Sequence, residues 1–184
     1  WEPGARTSAW LALAAACAVL NLMGDWHVGR PLLRPWPLML YAAYAFMAAG
    51  YALTGVGLLT GLPPNAGLHL LTAGALGLSV FVVMCIAGYT HSGLEKNGRP
   101  WVLAGAALVA ASAVLRACAY ALDATALLMG AAALLWCTAF ALMSWRMLPV
   151  FWRPRADGQG GCDGVLNTPQ EAAFAPADSA PLSP

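Results

Sequence analysis

Residues 66–89 read AGLHLLTAGALGLSVFVVMCIAGY. The stretch carries no Asp, Glu, Lys or Arg, and its composition is dominated by Leu, Ala, Gly and Val. About 20 mainly apolar residues suffice for a helix to cross the hydrocarbon of a bilayer. No strand-like alternation of polar and apolar residues appears, and a helix satisfies its own backbone hydrogen bonds in lipid. The run therefore predicts a membrane-crossing helix. Near its start, in HLLTAGALG at 69–77, it holds His69, an imidazole that is costly to place in hydrocarbon.

Four further runs of the same kind flank it, at 7–23, 37–60, 101–122 and 124–148. The last two are separated only at Asp123, which predicts a tight helical hairpin. Together the five runs predict an all-α, polytopic transmembrane helix bundle over residues 1–152. Residues 153–184 are rich in Pro, Gly, Ala and Asp and have little to bury, so a disordered tail is expected there.

Composition agrees. The 184 residues are 60% hydrophobic and 9% charged, with a mean hydropathy of +0.67. Soluble domains carry about 25% charged residues, so too little polar surface is available to cover a water-soluble globule. A net charge of +1 gives no electrostatic footprint for nucleic acid. No basic stretch precedes the first run, so no signal peptide is expected; the abrupt start leads one to expect a piece of a longer chain. Cys17, Cys85, Cys118, Cys137 and Cys162 are scattered and form no CxxC. They predict neither a disulfide framework nor a zinc site, and the four in apolar runs are expected to act as small buried hydrophobes.

Loop charges predict orientation. With five crossings, Arg30, Arg34, Lys96, Arg99, Arg146, Arg153 and Arg155 all fall on one side, and Arg6 alone on the other. Such asymmetry marks the cytoplasmic side, which puts the C-terminus and its tail in the cytoplasm and the N-terminus outside. Trp26, Trp36, Trp101, Trp145 and Trp152 fall at the same boundary, where amphipathic rings prefer to sit.

Polar groups at membrane depth are the functional candidates. On a regular helix His69 shares a face with Thr72, Ala73, Leu76 and Val80; Ala73 and Gly77 would let a neighbouring helix approach. His69 reads either as a haem or metal ligand or as a histidine bonded to another helix or to interfacial water. Arg116, near the outer end of the fourth run, forms a polar stripe with Gly105, Ser112 and Tyr120. It could pair with Asp123, hold a haem propionate or another anion, or snorkel to the outer headgroups. Tyr41, Tyr44, Ala48, Tyr51 and Gly55 form one stripe on the second run, either a packing seam or a redox path. Gly57 and Gly61 form a GxxxG at its outer end. His27 and His91, in the two inner loops, are candidates for a shared inner metal site. His69 and His91 lie about 33 Å apart along a continuous helix at ~1.5 Å per residue, so they cannot ligate one ion. Met23, Met84 and Met143 are soft copper ligands or, as readily, gap-fillers of the core. No Walker loop, GxSxG, HExxH or membrane-embedded carboxylate pair is present. A proton pump working through intramembrane acids is not expected, and no catalytic residue or reaction can be assigned.

Three stretches together resemble the NnrS family of bacterial membrane proteins. HLLTAGALG at 69–77 is similar to a His-x-Leu-Thr-x-Gly-Ala-x-Gly helix start. HSGLEKNGRP at 91–100 resembles a Gly-His-Thr-Gly-Arg-Pro loop. LWCTAFALMSWRMLPVFWRPRADG at 135–158 resembles a last helix with a basic Arg-Pro-Arg-x-Asp-Gly exit. The resemblance covers roughly residues 30–158. It implies haem and copper as cofactors, a part in the nitric oxide response or denitrification, and the bacterial inner membrane as location. It also implies that this chain is the C-terminal portion of a longer protein, with a missing N-terminal half as partner and nitric oxide or a metal-nitrosyl as ligand. His69 and Arg116 would then be cofactor-binding, and His69, His91 and His27 metal-binding. Two departures stand out. Leu94–Asn97 lengthens the loop after His91. In Leu40-Tyr41-Ala42-Ala43-Tyr44, Tyr41 stands where the family carries a histidine; a phenolate can ligate haem iron, and the alternative is loss of that site. A different class of reading, a transporter half or a scaffold without cofactor, uses His69 and Arg116 to line a path or bridge helices. A third has the segment only packing against a half that holds all the ligands.

Overall fold

The structure, a computed structural model, describes residues 6–26, 29–95, 99–120 and 125–155. Five helices are long and apolar enough to cross a membrane: α1 (Arg6–Asp25), α2 (Pro35–Thr60), α3 (Asn65–His91), α4 (Pro100–Cys118) and α5 (Thr125–Trp152). No strand occurs among the described residues. The chain is the all-α, multi-pass membrane protein that its hydropathy predicts.

Local chemistry sets the helix ends. Pro35 and Pro100 open α2 and α4; at the first helical position the missing N–H would have had no partner in any case. Gly61 ends α2 with φ +77, the left-handed cap that glycine adopts without a Cβ penalty, and Pro63–Pro64 enforce the break before α3. The GxxxG expectation is thereby corrected. Gly61 is a cap, and Gly57 faces Leu62, Pro63 and Pro64 of the turn rather than another helix. The two largest differences in helix bounds from the sequence reading lie at the ends of the fourth and fifth helices. The fourth helix closes at Cys118, before 122. The fifth runs through Pro149 to Trp152; it continues past the proline for about one more turn. Of the expected tail, 153–155 are described and the rest lies outside the described residues.

Within α3 the backbone widens. Leu70–Leu76 are π-helical, between α-helical segments Asn65–His69 and Gly77–His91. A π turn takes up more residues than an α turn, so it rotates everything after it relative to His69. Of the residues expected to share the His69 face, Ala73 is buried, whereas Leu76 and Val80 are 62% and 43% exposed.

α3 is the central helix. Half of its apolar window is buried, against 17% for α1 and 11% for α5. Among the described residues α1 packs on α2 alone, α2 packs on α3, and α3 packs on both α4 and α5, which form an extensive pair. Small residues set the spacing. Gly55 meets Leu13 and the Ala9 carbonyl of α1, Gly50 meets Leu71 and the Gly67 carbonyl of α3, and Gly74 lies against the Phe46 ring.

Most of the core lies toward the basic end, where α2 and α4 begin and α3 and α5 finish. Phe81, Val82, Cys85 and Tyr89 of α3 pack with Val102, Ala106 and Val109 of α4, and with Ala139 and Met147 of α5. Phe81 is the hub. It meets Trp101 and Phe140 edge-on at centroid distances of 6.5 and 5.9 Å, over a flat site at Gly105. The Arg99 guanidinium covers the Tyr89 ring at 4.6 Å, and Trp26 leans on Tyr44 at 5.0 Å. Cys85 is the buried thiol expected, but Cys17, Cys118 and Cys137 are exposed. A small apolar side chain gains nothing from protein burial when lipid is the alternative, so the burial expectation fails for these three. The large apolar residues on the outside, Leu127, Leu134 and Trp145 among them, form the surface that a bilayer covers.

Candidate functional site

The opposite end of the bundle is built differently. Among the described residues its buried apolar cluster is Leu70, Ala73 and Ala113, flanked by Phe46, Ala117 and Trp136. Among these small groups sit the polar residues at membrane depth.

His69 lies at the end of the first α-helical segment of α3, immediately before the π segment. Its Nε2 is 3.1 Å from the Tyr120 hydroxyl, and the two rings stack at a centroid distance of 5.5 Å and 20° between planes. Tyr120 follows the last turn of α4, which is closed by the Ala119 N–H donating to the Leu115 carbonyl at 3.0 Å. Arg116 is one turn earlier on the same face. Thr72, in the π segment, donates its hydroxyl proton back to the Leu68 carbonyl at 2.8 Å. Thr72, Ala73, Arg116 and Trp136 line a pocket of about 270 Å³ where α3, α4 and α5 meet.

The pocket has a structural origin. Gly77 lets the Trp136 ring lie directly on α3, so α5 approaches at the small-residue pair Ala73 and Gly77, as their spacing predicts. Ala73 then leaves space beside Arg116 that a larger side chain would fill. A π segment placed at a cluster of polar side chains is a common feature of functional sites.

Two of the candidate ligands, His69 and Arg116, are therefore brought together, and Tyr120 joins them. Tyr120 belongs to the site although the sequence shows it only as one member of the Arg116 stripe. The other members separate from it. Gly105 lies under Phe81, and Ser112 is fully buried and donates to the Ala132 carbonyl of α5 at 2.8 Å. Tyr41 is partly buried near the basic end of α2. It lies about 14 Å along α2 at ~1.5 Å per residue from Gly50, which packs against Gly67 and Leu71 on either side of His69, so it makes no contact with His69. His91 is exposed at the far end of α3. His27 and Asp123 lie outside the described residues. Met23 is buried in α1, Met84 is exposed, and Met143 packs against the basic-end core; the three do not meet. Among the described residues no group of three or more His, Cys, Asp or Glu could hold a metal ion.

A family model described as NnrS protein matches residues 2–155. The chain belongs to the NnrS family. The NnrS match spans all five helices and includes His69, Tyr120 and Arg116. No curated protein and no solved structure matches the chain.

Proposed function

We propose that the chain acts as a haem- and copper-containing NnrS-type protein of the bacterial inner membrane, with a part in the nitric oxide response or denitrification. Family membership supports the class. The observation that carries the site is the imidazole of His69 at membrane depth, held through Nε2 by a tyrosine from the neighbouring helix. A metal-bound histidine characteristically uses one ring nitrogen for the metal and the other for an orienting hydrogen bond. Tyr120 engages Nε2, and Nδ1 makes no hydrogen bond with a described residue, so Nδ1 of His69 would be the ring nitrogen that holds haem iron.

The fit is partial. Arg116 suits an anionic substituent such as a propionate, and the described residues add no second haem ligand beside His69. For copper no complete ligand set exists among them, so a copper site would draw ligands from other helices, of the same polypeptide or a partner. His91 at the basic end is the candidate for an inner site, with His27 and Tyr41. Haem iron, when bound, supplies the centre on which nitric oxide binds. The protein's share is to orient the imidazole through Tyr120, to hold a cation at Arg116 and to seat both in the bilayer. The concentration of basic residues at one end supports a cytoplasmic C-terminus.

A visible spectrum tests the reading. Membranes carrying the full-length protein should show a Soret band, and His69→Ala should weaken it. Wild-type protein that contains neither haem nor copper would refute the assignment and favour a transporter half or scaffold.

A further inference from the structure

An arginine stays protonated in proteins, and a charge withdrawn from water is stable only with a compensating partner. Arg116 occupies the last turn of α4. Its Nε is buried and has no hydrogen-bond partner, and no described residue forms an ion pair with the side chain. Next to it is the pocket of about 270 Å³. Thr72 supplies only a neutral hydroxyl, whose proton goes to the Leu68 carbonyl and whose oxygen can accept a hydrogen bond but carries no counter-charge. Ala73 and Trp136, the remaining walls, have no acceptor side-chain atom. The Arg116 charge thus faces a cavity whose walls offer no counter-charge and whose side chains leave Nε without a partner.

Size narrows the occupant. Pockets for drug-sized organic ligands run from about 300 Å³ upward, so this one is too small to enclose a macrocycle and large enough for a tetrahedral anion. Guanidinium forms paired, parallel hydrogen bonds with such oxyanions. We propose that the α3–α4–α5 pocket binds a phosphate-type oxyanion through Arg116, either as the free ion or as the phosphate of a lipid headgroup. The proposal shares Arg116 with the anion contact proposed above but requires no haem.

The test uses the full chain purified in maltoside detergent and, separately, in phosphatidylcholine nanodiscs. Inorganic phosphate is titrated while the Trp136 indole N–H resonance, at the pocket wall in the wild type and in the variants alike, is followed by ¹⁵N NMR. Saturable displacement of that resonance in both media, about tenfold weaker in Arg116→Lys and absent in Arg116→Gln, supports a free-ion site. Phospholipid that copurifies with the wild type and is missing from Arg116→Gln, by phosphorus assay, supports the headgroup as the source. If wild-type protein holds neither, the site is overturned. If Asp123→Asn then gains phosphate binding, an Arg116–Asp123 ion pair is what fills the pocket. The readout is independent of the Soret band, so absent phosphate binding with normal haem content defeats this proposal alone, and a missing haem leaves it standing.

Discussion

The two ends of this bundle solve opposite problems. At the basic end Phe81, Tyr89, Val102, Val109 and Met147 fill the space between three helices. The outer surface there carries Trp145 and Trp152, 79% and 80% exposed. At the other end the same three helices meet over Ala73, Ala113 and Gly77, and the space not filled by side chains becomes a pocket beside Arg116. Lipid tails are as apolar as leucine, so burial alone does not drive membrane helices together; close packing does. The basic end therefore holds the helices in place, and the loosely filled end can accommodate an imidazole, a phenol and a guanidinium without a full set of partners.

The largest expected effect tests the packed end. Phe81→Ala removes the ring that joins α3, α4 and α5 and should cost about 3 kcal/mol, the lower end for Phe→Ala because lipid lessens the transfer penalty. Reversible unfolding in mixed micelles measures it, and a loss near zero would mean that the aromatic hub does not hold the bundle. Next comes the boundary between the two ends. Gly77→Val drives side-chain atoms into the Trp136 ring and should destabilise by about 1–3 kcal/mol. It should also displace α5 from α3, which a spin-label distance between the two helices reports. An unchanged distance would break the claim that Gly77 sets the pocket.

The smallest change in stability belongs to the polar end. Tyr120→Phe deletes one hydrogen bond at a partly exposed site, for about 0.6 kcal/mol on the scale of membrane-helix hydrogen bonds. Its signature is local. The ¹⁵N resonances of His69 should shift as Nε2 loses its partner, while those of His91 stay in place. Unmoved His69 resonances would mean that the Tyr120 bond does not orient the imidazole.

Much of the architecture could be read from residue order alone. Long apolar runs without strand-like alternation located all five helices, because a helix spans hydrocarbon with its backbone groups satisfied within the segment. The ends at Pro35, Pro100 and Gly61 follow from local stereochemistry seen in the structure. The spacing of Ala73 and Gly77 pointed to a close helix contact. The site was half legible: His69 and Arg116 stand out as costly polar groups in apolar runs, but Tyr120 does not, since a tyrosine near a helix end is common at membrane interfaces. Nor do Gly57 and Gly61 declare by spacing that they serve a turn and not a helix pair.

Sequence by itself determined the helical class, the crossings, the charge asymmetry of the loops and which polar residues needed explanation, because each depends on hydration or on backbone geometry within a few residues. Only the tertiary structure decided that His69 bonds to Tyr120, a residue 51 positions away. It also decided that Tyr41 and His91 stand apart from that pair, and that Arg116 borders a pocket. The physical reason is the π segment at Leu70–Leu76. By turning α3 out of the regular helical phase, it sets faces that no periodicity in the sequence reveals, and the packing of α4 and α5 on those faces creates the site.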